Sequence, residues 1–335
     1  SYSVTGVQTC ALPIFGDGTS VDSSVPVRVA GLPAPVSSVD AGGWHTCAVL
    51  QDSSAWCWGL NDHGQLGDGT SESRPLPVQV AGLASGASQV SCGGGHTCAV
   101  KTDGSVVCWG RNDSGQVGRG TTGPDEPMPA LVSGFGSESL TVTLGMEHTC
   151  ARKVDGSIYC WGDNTFGQVG DGSMVDTDRP HQLVLNSGSA SLEAGNQHAC
   201  AIFPGGDLWC WGLNDQGQLG DGTQETRASP TLISDLRPVR IAPGLGHTCA
   251  IAGSVQCWGQ NLKGQLGDGT TEDRLDPVIP AGLGAPARLA AGNAHTCAAL
   301  ADGSVWCWGW NLYGQLGDGT LSDRTTPVRV TPPSP

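Results

Sequence analysis

One unit of about fifty residues recurs six times along the 335-residue chain, and it limits the fold more than any other feature. Each unit carries the phrase G-x-x-H-T-C-A or a close variant, then x-C-W-G, then N-x-x-G-Q-L-G-D-G-T, then a short Pro-led apolar stretch. The first cysteine of the phrase falls at positions 47, 98, 150, 200, 249 and 297, a step of 48–52 residues. A fixed period in that range marks propellers, solenoids or arrays, whose units bury their apolar faces only against one another. In the first complete unit four stretches read as strands: Val36–Ala41, His45–Leu50, Ala55–Gly59 and residues 77–80. Gly, Asp and Pro turn signals separate them. Four short strands per unit suit a β-propeller blade. No stretch sustains the i, i+3, i+4, i+7 apolar spacing that a helical repeat needs. The strands are lettered A to D from the axis outward, and blades are expected at about 36–80, 87–132, 139–185, 190–233, 239–279 and 287–330. A Pro-rich tail, 331–335, follows them.

The combination of G-x-x-H-T, W-G-x-N-x-x-G-Q-L-G-D-G-T and a Pro-led strand resembles the regulator-of-chromosome-condensation repeat family over residues 15–330. The resemblance implies an all-β propeller, typically of seven blades. It implies little about activity, because one fold hosts unrelated functions. Six complete blades are countable, with a surplus outer-strand piece at the N-terminus: Gly16-Asp17-Gly18-Thr19 followed by 26–29. A truncated seven-blade ring is therefore expected, with a six-blade ring plus a spare strand as the alternative. Residues 4–14, VTGVQTCALPI, look like the translation of a sequencing-library adapter, as in a metagenomic fragment. Residues 1–14, Cys10 included, are accordingly set aside from fold reasoning.

Twelve of the remaining thirteen cysteines pair within units: Cys47 with Cys57, Cys98 with Cys108, Cys150 with Cys160, Cys200 with Cys210, Cys249 with Cys257 and Cys297 with Cys307. In the hairpin Lys101-Thr102-Asp103-Gly104-Ser105 a three-residue loop with Gly in the left-handed position sets Lys101 opposite Ser105, and hence Cys98 opposite Cys108. The Cys249–Cys257 spacing is shorter, with Ala252-Gly253-Ser254 as its expected loop, and it keeps the cysteines opposed. Opposed residues of an antiparallel pair lie within disulfide reach. Six such bonds imply an oxidising compartment: secreted, periplasmic or cell surface. There is no C-x-x-C, so zinc is not expected. Cys92 is left over and takes a small-residue slot, where a buried thiol is expected.

His45, His96, His148, His198, His247 and His295 share one repeat position, as do Trp58, Trp109, Trp161, Trp211, Trp258 and Trp308. A residue present in every blade reads as structural: the histidines bonding loop backbone near the A–B turn, the tryptophans packing between blades. Asp68, Asp171, Asp221, Asp268 and Asp318 read as D-G turn formers and make no D-x-D-x-D-G calcium loop. No Walker A loop, H-E-x-x-H or G-x-S-x-G occurs, so no enzyme, catalytic residue, metal or cofactor is expected. The formal charge of −15 disfavours nucleic acid and anionic membranes as partners, and no apolar run reaches transmembrane length.

What varies inside the frame lies in the A–B and C–D loops on one face of the disc. Trp44, His63, Arg111, Glu147, Phe166, Gln197, Lys263, Trp310 and Tyr313 are the candidate binding residues. Aromatic and Arg anchors on a rigid scaffold are the usual composition of an interaction hot spot. The expected function is a non-enzymatic, exported, monomeric propeller that binds a protein or glycan through this face. The paired cysteines give it a likeness to secreted bacterial propellers of the family. The resemblance also implies an alternative, guanine-nucleotide exchange on a small GTPase. A third reading is a structural module of a larger surface protein.

Overall fold

The computed structural model describes residues 15–185, 188–233 and 236–331. The adapter-like segment 4–14, with Cys10, and tail residues 332–335 lie outside the described residues. Blade 1 comprises β1 (Val36–Ala41), β2 (His45–Leu50), β3 (Ala55–Gly59) and β4 (Arg74–Gln79). Blade 2 comprises β5 (Ala87–Cys92), β6 (His96–Lys101), β7 (Val106–Gly110) and β8 (Glu126–Leu131). Blade 3 has β9 (Ser139–Leu144), β10 (His148–Lys153), β11 (Ile158–Gly162) and β12 (Thr177–Gln182). Blade 4 has β13 (Ser191–Ala194), β14 (His198–Ile202), β15 (Leu208–Gly212) and β16 (Arg227–Ile233). Blade 5 has β17 (Arg240–Pro243), β18 (His247–Ala252), β19 (Ser254–Gly259) and β20 (Arg274–Val278). Blade 6 has β21 (Pro286–Ala291), β22 (His295–Leu300), β23 (Val305–Gly309) and β24 (Arg324–Arg329). Each blade is a four-stranded antiparallel meander, and no helix occurs among the described residues.

The outer strand starts earlier than the Pro-led pattern suggests. In blade 1 it runs from Arg74 rather than Pro77, because the register slips between Cys57 and Gly59 and Gly59 pairs with Arg74. Every outer strand carries proline: Pro75 and Pro77, Pro127 and Pro129, then Pro180, Pro230, Pro277 and Pro327.

The middle hairpins set the disulfides. Cys47 pairs in register with Cys57, and the same holds for Cys98–Cys108, Cys150–Cys160, Cys200–Cys210, Cys249–Cys257 and Cys297–Cys307. All six pairs are bonded, with Cα atoms 4.1 Å apart. In blade 5 the expected three-residue loop closes further: Ala252 pairs with Ser254 across Gly253 alone, at φ +78°. Cys92 is a buried free thiol.

The core lies between blades. Val49, Ala55, Leu66, Val80 and Leu83 of blade 1 pack on Val90, Ala99, Val107 and Trp109 of blade 2, and this sandwich recurs at each successive junction through blade 6. Burial of an apolar face against its neighbour is what a lone blade cannot achieve, so the repeat and the fold require each other. The six A strands surround a central channel of about 490 Å³.

The N-terminal piece forms no seventh sheet among the described residues. It packs between blades 6 and 1 through contacts that other blades repeat. The Gly18 N–H donates to the Pro75 carbonyl at 3.0 Å, as Gly69 does to Pro127 at 3.1 Å. Gly319 donates to Ser24 at 2.8 Å, as Gly269 does to Thr325 at 2.9 Å.

Candidate binding face

The invariant residues form a clasp from one blade to the next at four junctions: 1–2, 2–3, 4–5 and 5–6. Trp109 Nε1 and Thr97 Oγ1 both donate to the Gln65 carbonyl of the preceding C–D loop, at 2.9 and 2.8 Å. With its proton so committed, the Thr97 hydroxyl accepts from His45 Nε2 at 2.7 Å. The tautomer is thereby fixed with the proton on Nε2. His96–Thr149, His198–Thr248 and His247–Thr296 repeat the contact at 2.9 Å. The histidines thus bond the next blade rather than the loop backbone at their own A–B turn, which the pattern of a single repeat cannot show. Burial holds His96, His198 and His247 down to about 3, and His45, His148 and His295 down to about 4. All six imidazoles are therefore neutral at pH 7.

His148 and His295 depart from the series: neither Nε2 has a partner. Ala199 stands where other blades place threonine, and neither ring nitrogen of His148 has a partner. Ala199→Thr should supply a hydroxyl between His148 and the Gln168 carbonyl, which already accepts from Trp211 at 3.0 Å. We expect a gain of about 1 kcal/mol, measured as a higher urea midpoint with unchanged slope.

The C–D loops brace themselves. Asn61 Oδ1 accepts from Leu66 N at 2.9 Å, and its amide donates to the Thr70 carbonyl at 3.0 Å. Asp68 caps Thr70 N at 2.9 Å and holds Arg74 at 3.0 Å. Arg227–Asp221, Arg274–Asp268 and Arg324–Asp318 are equivalent; burial raises these carboxyls, but hydrogen bonds from Thr223, Thr270 and Thr320, and then from the neighbouring arginine, hold them below their usual range. Blade 2 reverses the pair: Arg119 replaces the aspartate and meets Glu126 where blades 1, 4, 5 and 6 have arginine, and blade 3 has Thr177 there. Asp68, Asp221, Asp268 and Asp318 are therefore occupied by cations of the chain itself, while Asp171 is held by Asn164 and Ser173.

With the frame consumed, the variable residues separate into two groups. The charged ones bridge adjacent blades: His63 Nδ1 lies 2.8 Å from Asp125, Arg111 binds Asp113 and Glu147, and Lys263 lies 3.4 Å from Asp323. Trp310 and Tyr313 form an edge-to-face pair with ring centroids 5.4 Å apart. Trp44, Phe166 and Gln197 stay half-buried in their own loops. Sequence reasoning missed Leu262. The position after the loop asparagine is Asp62, Asp113 and Asp215 in blades 1, 2 and 4, but Leu262 and Leu312 in blades 5 and 6. These leucines are 64% and 55% exposed, beside the half-buried Trp310 and Tyr313. At this loop position blades 1, 2 and 4 are acidic and blades 5 and 6 apolar, a division visible once the repeats are aligned.

Fold and face together define a disulfide-stapled propeller of chromosome-condensation-type repeats with a variable loop face. The chain belongs to the RCC1-like domain family, whose model matches residues 6–334. The ultraviolet-B receptor UVR8 of Arabidopsis thaliana is 33% identical over 172 residues, which are 50% of this chain and 39% of the receptor. Yeast RCC1 (Prp20), solved bound to Kap60, matches with a TM-score of 0.84 at 22% identity, over 96% of this chain and 80% of that chain. Human WBSCR16 matches with a TM-score of 0.83 at 25% identity, over 92% and 85% of the two chains.

Proposed function

We propose that the chain is a non-enzymatic propeller working in an oxidising compartment, and that it binds a protein partner through the A–B and C–D loop face. The observation that carries this reading is the apolar corner of blades 5 and 6, Leu262, Leu312, Trp310 and Tyr313, set on disulfide-bonded blades. Exposed leucines beside half-buried aromatics, rimmed by charge, suit a protein contact better than scattered surface residues do. The six disulfides support an exported setting over cytosolic nucleotide exchange. No helix among the described residues is long and apolar enough to cross a membrane.

A photo-crosslinking residue at Leu312 should trap one defined protein adduct from the source culture medium. The same residue at Val184, 98% exposed and away from the loop face, should trap none. Equal labelling from both positions would refute a specific face. Nucleotide release from a small GTPase by the oxidised chain would instead favour the exchange-factor reading.

A further inference from the structure

The central channel is lined by side chains that mostly bind the next blade. Asp40 accepts from Cys92 N at 2.8 Å, Gln89 makes two bonds of 3.0 Å to the Val142 backbone, and Thr143 accepts from Ala194 N at 3.0 Å. Asp40, Thr143 and Glu193 occupy one register position, each opposite the first cysteine of its disulfide. The series breaks at Glu193. The residue matching Cys92 and Ala194 on the next blade is Pro243, which has no N–H to offer. Among the described residues Glu193 makes no hydrogen bond or ion pair.

Two arginines line the channel on the inner strands of the next two blades. Arg240 pairs with Ile251 and Arg288 with Ala299, each two residues beyond its blade's first cysteine, so they share a register position on β17 and β21. Both line the channel, and neither is ion-paired among the described residues. Enclosure by protein and then the charge of Asp40 raise Glu193 to about 7, against the opposing pull of Arg240. Glu193 and Arg240 thus attract one another without a direct bond, and Arg288 lines the same channel. A cavity of about 490 Å³ falls within the size range of small-molecule sites.

We propose that the channel binds a small zwitterion of amino-acid or dipeptide size, its ammonium held by Glu193 and Asp40 and its carboxylate by Arg240 and Arg288. Carboxylates on blades 1 and 4 with guanidinium groups on blades 5 and 6 offer both charges within one enclosure. A planar guanidinium matches a carboxylate in two-point geometry.

The test is titration calorimetry of the oxidised chain at pH 8, where Glu193 is ionised, with dialanine, N-acetyl-dialanine and dialanine amide. Dialanine should bind, and each blocked form should bind about tenfold more weakly. Glu193→Gln should abolish the difference between dialanine and its N-acetyl form. Arg240→Gln with Arg288→Gln should abolish the difference between dialanine and its amide. Near-UV circular dichroism checks that the variants are folded. Absence of dialanine binding at millimolar concentration, or binding indifferent to blocking and to both variants, overturns the proposal.

Discussion

Reduction of the six hairpin disulfides is expected to unfold the propeller. Each closes a short loop, with cysteines 8 or 10 residues apart. The chain-entropy model assigns about 2–3 kcal/mol to each bond, and six of them together match or exceed the roughly 5–15 kcal/mol by which whole domains are stable. The bonded sulfurs are buried within the sheets, so reduction also leaves twelve thiols in the inter-blade cores. The reduced, alkylated chain should lose its near-UV dichroism and its cooperative thermal transition. A reduced chain that melts within a few degrees of the oxidised one would show that inter-blade packing suffices.

Mild acid should act almost as strongly, through the six buried repeat histidines, four of them clasped to the next blade. Their folded values of about 3 to 4 lie below the unfolded value near 6.5. The unfolded chain therefore binds protons first, and stability falls as pH drops below about 6.5. Each histidine contributes about 1.4 kcal/mol per pH unit in that window, so all six together contribute on the order of 10 kcal/mol by pH 5. Asp68, Asp221, Asp268 and Asp318, held below their usual range, add a further loss only below about pH 4. Glu193 and Asp40 have raised values and act in the opposite sense, since the folded state takes up their protons first. The urea midpoint followed by tryptophan fluorescence should fall steeply from pH 7.5 to 5.0. A midpoint constant over that range would mean that the imidazoles protonate without leaving their clasps.

The parts of this molecule that are local in sequence were legible there. The strands β1, β2 and β3 follow from alternation and turn residues, and the cysteine pairing follows from counting back along one hairpin. The start of β4 was not legible, because a slip of register opposite Cys57 leaves no mark on composition. The histidine clasp was also hidden, since His45 finds its partner 52 residues away in another repeat. The face was readable as a place but not as an arrangement. Arg111 and Glu147 were both expected there, yet nothing in the sequence says that they neutralise one another. The channel charges were hidden entirely: Glu193, Arg240 and Arg288 look like ordinary surface residues until six inner strands converge.

The prolines of the outer strands bear on behaviour in a crowd. Each blade ends on a strand with one unpaired side, six such borders in all, and such borders invite pairing with strands of other molecules. A proline there removes a donor that such pairing would need. The outer-strand prolines should accordingly disfavour rim-to-rim pairing between copies of this chain. Engineering for colloidal solubility should therefore leave Pro75, Pro77, Pro127 and Pro129 in place, even where a β-branched residue would suit the strand better.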